Sequence, residues 1–159
     1  MNRSTLAATS LAVAAAAGSG SIASADAVSD WYARLRKPPY QPPNAAFPVA
    51  WTTLYGDIAV TSAVAIDRFR ASGQQDKARR YAAALGVNLV LNAAWSWLFF
   101  RFHKLGASAA GAVVLTASSA DLARRAAQAD PRAGLALSAY PLWCSFATAL
   151  ATHVWRLNR

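Results

Sequence analysis

The chain has 159 residues, of which 55% are hydrophobic and 14% are charged, and its formal net charge at pH 7 is +9. This length fits one domain, and a soluble domain usually has about 25% charged residues. The composition therefore argues against an ordinary water-soluble domain and indicates a membrane protein. A single cysteine, Cys144, excludes a secreted scaffold held together by disulfides.

The charged residues are clustered, and five charge-poor runs of 16 to 23 residues lie between the clusters. A helix crosses the hydrocarbon core of a bilayer with about 20 residues at about 1.5 Å each. The sequence therefore predicts an all-α integral membrane bundle of five transmembrane helices, in a single domain spanning 1–159. The predicted helices cover residues 4–25, 47–68, 78–100, 105–127 and 133–156, and a structured proline-rich first loop covers residues 26–46.

The positive charge lies mainly in the short segments between the runs, as at Arg68, Arg70, Arg79 and Arg80. Basic residues at the ends of membrane helices contact lipid phosphates and set the topology. This distribution favours a lipid bilayer as the partner of the basic residues and argues against a nucleic acid.

The first run begins after Arg3 and ends at Ala25, with the small residues 18–21 near its end. A cleavable signal peptide has similar features. This run is longer than the apolar core of a usual signal, and small residues let membrane helices pack closely. We therefore expect the run to be retained as the first helix, with cleavage as the alternative.

Four prolines within residues 38–43 exclude a long helix there and favour an extended or turning path. Trp31, Tyr32 and Tyr40 distinguish this segment from a disordered linker, which has few aromatic residues. Aromatic side chains are enriched at the membrane–water interface. We predict a loop whose rings lie at headgroup level or cover the mouth of the bundle.

Two runs contain polar residues that a bilayer disfavours. Asp57 lies near mid-depth of the second run, where a carboxylate costs a few kcal/mol unless it faces protein or water or is protonated. A functional role and a polar contact to a neighbouring helix both explain it. Asn88, Asn92 and Trp95 share one helix face by their spacing, and that face either holds a ligand or binds another helix.

The fifth run contains Pro141, which predicts a kink in its helix. Trp143, Ala147 and Leu150 lie on one face of this helix, with a small residue between two large ones. This pattern suggests a notch for a flat apolar molecule.

The sequence has no glycine pattern of a nucleotide site, no nucleophile elbow and no His-Glu-x-x-His zinc motif. It also has no glutamate, and spacing alone pairs none of its seven aspartates. His103 and His153 lie near predicted helix ends, which favours an interfacial role over haem ligation. Cys144 is interpreted as a packing residue. We therefore expect no metal site and no required cofactor.

Several motifs follow one another in order from Trp31 to Asn158. They are Trp31-Tyr32-x-x-Leu35-x-Lys37-Pro38-x-Tyr40-x-Pro42-Pro43, Phe47 to Trp51 with Thr52-Thr53-Leu54-Tyr55, Asn92-x-x-Trp95 with Phe99-Phe100, Tyr140-Pro141-x-Trp143-x-x-Phe146-Ala147-Thr148-x-Leu150, and Val154-Trp155-Arg156-x-Asn158. With this combination the chain resembles bacterial members of the translocator protein family, also called TspO/MBR, tryptophan-rich sensory protein or peripheral-type benzodiazepine receptor.

The resemblance implies a five-helix membrane bundle, commonly a homodimer, with a ligand cavity covered by the first loop. Members of that family bind porphyrins and haem, and animal members also bind cholesterol. Some bacterial members are reported to degrade protoporphyrin in light through paired tryptophans, which by motif position are Trp51 and Trp143 here. The ligand-binding residues that the resemblance implies are Tyr32, Pro42, Trp51, Tyr55, Asn92, Trp95, Trp143, Ala147 and Leu150.

The leading hypothesis is a receptor or transporter-like membrane protein that binds planar tetrapyrroles, protoporphyrin or haem, as its ligand. Carboxylates of the ligand would meet Arg34, Arg36 or Lys37 at the mouth of the cavity. One alternative is a light-dependent porphyrin-degrading oxidase with Trp51 and Trp143 as catalytic residues. Another alternative is a regulatory membrane protein that binds a partner through its basic loops.

Two further expectations come from the same residues. Thr152 and His153 stand in the segment where animal members carry the tyrosine of a cholesterol-recognition pattern, which argues against sterol binding there. The chain is rich in alanine and arginine and has three lysines, as in high-GC bacterial coding. We therefore expect an integral protein of a bacterial inner or plasma membrane.

Overall fold

The structure is a computed structural model that describes residues 1–25 and 30–159. Over these two ranges the backbone forms seven α-helices, one π-helical turn and no strand. The helices are α1 Arg3–Ser24, α2 Asp30–Arg34, α3 Ala46–Ala71, α4 Gln75–Ser96, α5 Leu105–Ala129, α6 Pro131–Leu137 and α7 Ala139–Leu157.

Five helical segments are long and apolar enough to cross a membrane. They are Arg3–Ser24, Ala46–Ala71, Gln75–Arg101, Leu105–Ala129 and Pro131–Leu157. The structure thus confirms the predicted fold class, an all-α bundle of five membrane-spanning helices. The loop that joins the first two spans contains one short helix, α2, ahead of its prolines, which the sequence analysis did not predict. The first part of that loop, residues 26–29, lies outside the described ranges.

The last membrane span is divided in two at Ser138. Asp130 is the N-cap of this span. Its side chain accepts a hydrogen bond from the backbone N–H of Arg132 at 2.8 Å, and Pro131 occupies the first helical position. The interruption lies three residues before Pro141, since a proline removes an N–H donor and its ring clashes with the carbonyl four residues earlier. The division separates α6 from α7, which carries Trp143.

Helix α4 continues into a π-helical turn, Trp97–Arg101. Such wider turns take an extra residue and often occur at functional sites. Here the turn is part of a cluster in which the rings of Trp95 and Phe99 stack at 5.4 Å and Phe100 meets Phe99 edge-on at 4.8 Å. The turn therefore brings three aromatic rings together at one end of the bundle.

The helices enclose one main buried cluster and one smaller cluster. α5 lies along α7, and α1 packs against α3 and α4. Small residues allow close approach: a Cβ added to Gly134 would clash with the Cβ of Ala127, and one added to Gly20 would lie 3.2 Å from Ser96 Oγ. The prediction that residues 18–21 serve helix packing is thus confirmed at Gly20.

Two ends of the bundle can be distinguished. At one end, which we call the lid end, residues 30–45 form a segment that we call the lid, next to the turn at 102–104 and the C-terminus. At the other end, which we call the basic end, the start of α1 meets the end of α3 through a hydrogen bond from Thr5 Oγ1 to Asp67 Oδ1 at 2.8 Å. The smaller cluster, centred on Phe99, Leu150 and Val154, lies beneath the lid.

Candidate functional site

Two tryptophans from different helices meet in the half of the bundle nearest the lid. The ring centroids of Trp51 on α3 and Trp143 on α7 are 6.5 Å apart, and the rings are perpendicular at 89°. Tyr55 lies 5.5 Å from Trp51, while Phe47 and Phe146 lie 6.1 and 5.5 Å from Trp143. Perpendicular aromatic rings at this separation attract one another. The arrangement forms an aromatic wall between α3 and α7.

The indole nitrogens of two predicted site residues differ in their bonding. Trp95 Nε1 donates a hydrogen bond to the backbone oxygen of Ser108 at 3.0 Å. Trp143 Nε1 is buried and has no hydrogen-bond partner among the described residues. A buried N–H group without a partner is rare in folded proteins and costs free energy. The Trp143 donor is thus unbonded within the described residues, whereas the Trp95 donor is occupied.

A small cavity of about 10 Å³ lies beside this wall. Such a volume is close to the minimum that holds one water molecule. Three predicted site residues, Trp51, Trp95 and Ala147, line the cavity together, and Ala112, Leu115 and Cys144 complete its lining.

Sequence reasoning missed Ala112 and Leu115 because the fourth run consists mostly of small residues without a distinctive pattern. The many small residues of α5 were the available signal, because they allow an aromatic ring from a neighbouring helix to approach the α5 backbone. Cys144 was interpreted as a packing residue, and it is buried beside the cavity.

Asn92 and Tyr55 belong to a hydrogen-bonded chain that joins four helices. Tyr55 Oη donates to Asn92 Oδ1 at 2.9 Å, and Asn92 Nδ2 donates to Tyr140 Oη at 3.0 Å. Tyr140 Oη donates to Asn88 Oδ1 at 2.9 Å, and Asn88 Nδ2 donates to Ser118 Oγ at 3.1 Å. The sequence left open whether the face of Asn88 and Asn92 holds a ligand or binds another helix. In the structure these two side chains contact other helices.

Six predicted site residues lie outside the cavity lining: Tyr55, Asn92 and Trp143, described above, and Tyr32, Pro42 and Leu150. Tyr32 lies in the lid, where its ring meets Phe99 at 6.3 Å and its Oη accepts a hydrogen bond from Gln41 Nε2 at 3.0 Å. Burial raises the pKa of the Tyr32 phenol, an effect that the bond from Gln41 partly offsets, so the phenol is neutral at pH 7. Pro42 is half-buried in the lid, and Leu150 is buried in the smaller cluster beneath it.

Asn158, near the C-terminus, holds the lid in place. Its Oδ1 accepts a hydrogen bond from the backbone N–H of Arg36 at 2.9 Å, and its Nδ2 donates to the Arg36 oxygen at 2.8 Å and the Val154 oxygen at 2.7 Å. Both the donor and the acceptor of the Arg36 peptide unit are therefore bound to the end of α7.

Lys37 has a different role from the one expected at the cavity mouth. Its Nζ donates to the backbone oxygens of Tyr32 at 2.6 Å and Leu35 at 3.3 Å, and it lies 4.5 Å from the centroid of the Tyr32 ring. These contacts hold the ammonium group within the lid, where it satisfies carbonyls at the end of α2. Arg34 and Arg36 are exposed.

Both histidines contact aromatic residues of the lid. The ring of His103 stacks on Trp31 with a centroid distance of 3.8 Å and an angle of 14°. His153 Nδ1 lies 3.1 Å from the Tyr40 hydroxyl. Within residues 1–25 and 30–159, no three His, Cys or Asp side chains are grouped to hold a metal ion.

Asp57, like Trp143, has a buried side-chain atom without a hydrogen-bond partner among the described residues. Its Oδ2 is buried without a hydrogen-bond partner in the described part of the chain, while its backbone oxygen accepts a bond from Thr61 Oγ1 at 2.6 Å. The polar contact offered as one explanation of this residue is therefore not formed through Oδ2.

Comparison with known proteins agrees with this architecture. The sequence profile of the TspO/MBR family matches residues 8–156. Protein CrtK of Rhodobacter capsulatus is 34% identical, over 93% of this chain and 89% of its own length. The tryptophan-rich protein TspO of Archaeoglobus fulgidus is 33% identical over 99% of both chains, and the human translocator protein is 30% identical over 80% of this chain and 75% of its own. Five membrane-spanning helices and a match over nearly the whole sequence together show that this integral membrane protein belongs to the TspO/MBR family.

Proposed function

We propose that this protein binds planar hydrophobic tetrapyrroles, protoporphyrin or haem, between Trp51, Trp95 and Trp143 beneath the lid. The observation that carries the proposal is the buried Nε1 of Trp143, which has no partner within residues 1–25 and 30–159, next to the perpendicular ring of Trp51. An aromatic face can stack on a flat apolar ring system, and the indole N–H can donate to an acceptor at its edge. Such a site combines a mostly apolar lining with one placed polar group.

Binding requires the site to open, because the cavity of about 10 Å³ is far smaller than a tetrapyrrole. The lid is the element best suited to move, since aromatic contacts and a few hydrogen bonds hold it, whereas the helices share a buried core. When the lid lifts, carboxylates of the ligand meet Arg34 and Arg36, which are exposed there.

Quenching of tryptophan fluorescence by protoporphyrin in detergent tests the proposal. We expect saturable quenching of the native protein. The variant Trp51→Phe, Trp95→Phe, Trp143→Phe should lose most of the saturable component, whereas Trp155→Phe, at the edge of the bundle, should retain it. Equal saturable quenching in the native protein and the triple variant would refute the site.

A second variant covers the case in which the triple variant does not fold. Ala147→Leu adds volume to the cavity wall without removing a tryptophan. We expect it to weaken protoporphyrin binding at least tenfold, because the ligand has to occupy the same space. Circular dichroism of each variant in detergent establishes that it retains the native helix content.

A second candidate function, light-dependent porphyrin oxidation, is favoured by the contact between Trp51 and Trp143. In it an excited porphyrin takes one electron from the adjacent indole, and the reduced porphyrin passes that electron to dioxygen, which becomes superoxide. The indole radical cation then regains an electron from the porphyrin, so that the porphyrin is oxidised by one electron and the indole is restored. Illumination of the complex should then give products, or a rate, different from those of free porphyrin in the same detergent. Identical products at an identical rate would exclude this activity and leave binding alone.

We further propose a bacterial inner or plasma membrane as the location of the protein. The alanine and arginine content of the chain and its similarity to CrtK of Rhodobacter capsulatus support this assignment. Cell fractionation tests it, and recovery in the outer membrane would contradict it.

A further inference from the structure

A groove separate from the tryptophan cluster runs along the basic end of the bundle. It lies between α1, α3 and α4 and has a volume of about 360 Å³. This volume is at the lower end of the roughly 300–1,000 Å³ typical of small-molecule sites. None of the residues implied as tetrapyrrole ligands lines it.

Small residues create the groove. Ala8 and Ala12 lie one turn apart on α1, and Ala82 and Gly86 lie one turn apart on α4, so the facing helix surfaces recede from each other. The buried residues Leu85, Leu89 and Ile66 also line it, and they make its interior apolar.

The groove opens onto the surface that faces the lipid. Ala8, Ala12, Ala82 and Gly86 are exposed, and so are larger apolar residues on the same two helices, such as Leu11 and Val90. An apolar groove on this surface of a membrane-spanning bundle is in contact with acyl chains.

The groove becomes polar and basic where it reaches the end of the helices. Its lining there includes Ser4, Thr5 and Arg70. Arg70 Nη1 donates to Thr5 Oγ1 at 3.1 Å, and the exposed guanidinium has further N–H donors. Arg79 lies one turn before Ala82 on the same face of α4. Basic pockets between membrane helices near the membrane surface bind anionic lipid head groups.

The length of the groove corresponds to one leaflet. From Ser4 to Ala12 the lining extends along α1 for eight residues, which is about 12 Å at the helical rise. One leaflet contributes about 15 Å, half of the roughly 30 Å hydrocarbon core. A chain whose head group lies at Arg70 therefore fits along the groove within its own leaflet.

From these observations we infer that the α1–α3–α4 groove binds one anionic phospholipid, with its phosphate at Arg70 and an acyl chain along Ala8, Ala12, Ala82 and Gly86. Arg70 and Arg79 outnumber the carboxylate of Asp67, which accepts a hydrogen bond from Thr5 at the mouth, so the excess positive charge selects a negative head group. The apolar interior requires an attached chain. This site is independent of tetrapyrrole binding.

Native mass spectrometry of the delipidated protein in an uncharged detergent tests the inference with phosphatidylglycerol, phosphatidylcholine and inorganic phosphate. We expect one phosphatidylglycerol per chain, retained about fivefold more strongly than phosphatidylcholine, because each basic residue near a membrane surface contributes a factor of about this size. Inorganic phosphate should not compete, since it has no chain. Arg70→Gln should reduce phosphatidylglycerol retention to the phosphatidylcholine level.

Gly86→Phe blocks the groove and should abolish retention of both lipids. A Cβ at this position meets no atom within 4 Å, so a side chain can be attached here without a backbone clash. Gly56→Phe is the matched control, because Gly56 on α3 is also exposed and equally open but does not line the groove. It should retain lipid like the native protein. Ala12→Leu fills the groove from the opposite wall if Gly86→Phe does not fold.

Three outcomes would overturn the inference. Equal phosphatidylglycerol retention in Gly86→Phe and the native protein would show that the chain lies elsewhere. Full competition by inorganic phosphate would show that the site binds an anion and that the acyl chain does not contribute. Conversion of a dimer to a monomer by Gly86→Phe, with lipid retention unchanged, would assign the groove to a second copy of the chain.

Discussion

Four of the eight buried polar residues in the described part of the chain bond to side chains of other helices: Thr5, Ser62, Asn88 and Asn92. Tyr140 is the central partner, since its hydroxyl both donates to Asn88 and accepts from Asn92. A hydroxyl that does both cannot be removed without leaving two amide groups unpaired, and buried unpaired groups cost about 1–3 kcal/mol each. This single oxygen therefore joins α4 to α7.

Tyr140→Phe should lower the free energy of unfolding by about 2 kcal/mol, because Asn88 Oδ1 and Asn92 Nδ2 lose a partner. Thermal unfolding in detergent, followed by circular dichroism, measures the change. Tyr40→Phe is the control, since Tyr40 is exposed and loses only its contact with His153. A midpoint for Tyr140→Phe no lower than that of the control would contradict the role of the network.

Asp57→Leu should raise the free energy of unfolding by about 1–3 kcal/mol, because it removes a buried carboxylate oxygen that has no partner among the described residues. The same thermal measurement detects this. In the control Asp121→Leu the lost carboxylate is bonded to Arg124 and Arg125 at 2.6 Å each, so the midpoint should stay constant or fall. If Asp57→Leu is less stable than the native protein, the carboxylate has a stabilising partner.

Among the elements, the lid was predicted from the sequence as a structured loop, but its contacts were not predicted. Its prolines and aromatic residues predicted a structured segment, and the structure confirms one in residues 30–45. Its attachment to the end of α7 joins residues 122 positions apart in the chain. No local pattern encodes such a contact, since it depends on where the last helix ends relative to the first loop.

Asn158→Ala should make the lid easier to open, because the lid loses both hydrogen bonds to the Arg36 peptide unit. At about 1 kcal/mol per bond, we expect trypsin to cleave after Arg34 or Arg36 at least tenfold faster in detergent. Asn44→Ala is the matched control, an exposed asparagine in the same segment. Equal cleavage rates for the native protein and Asn158→Ala would show that Asn158 does not limit opening.

At the scale of the whole molecule, the apolar surface faces outwards. Leu11, Val49, Val90, Leu135 and Leu142 are each at least 68% exposed and lie on four of the spans. A soluble protein rarely exposes apolar side chains so widely, whereas a bilayer solvates them.

We therefore expect the protein to be monodisperse in detergent or lipid and to aggregate when the detergent is removed. Size-exclusion chromatography with and without detergent measures this, with circular dichroism as a check on helix content. A folded, monodisperse protein in plain buffer would contradict a membrane-spanning bundle.

The number of spans, the all-helical class and the family could be predicted from the sequence alone. Each depends on local quantities: the length of an apolar run, the absence of charge within it, and the order of short motifs. The break before Pro141 is local too, although its position at Ser138 follows from the clash of the proline ring with the preceding turn.

Only the tertiary structure decided how the side chains of those runs are used. Spacing placed Asn88, Asn92 and Trp95 on one face, but whether a ligand or a helix meets that face depends on the neighbour that packs there. Tyr140 and Ser108 come from other helices and occupy these polar groups. Trp143 retains an unpaired N–H for the same reason, because helix packing brings no acceptor from the described residues to it.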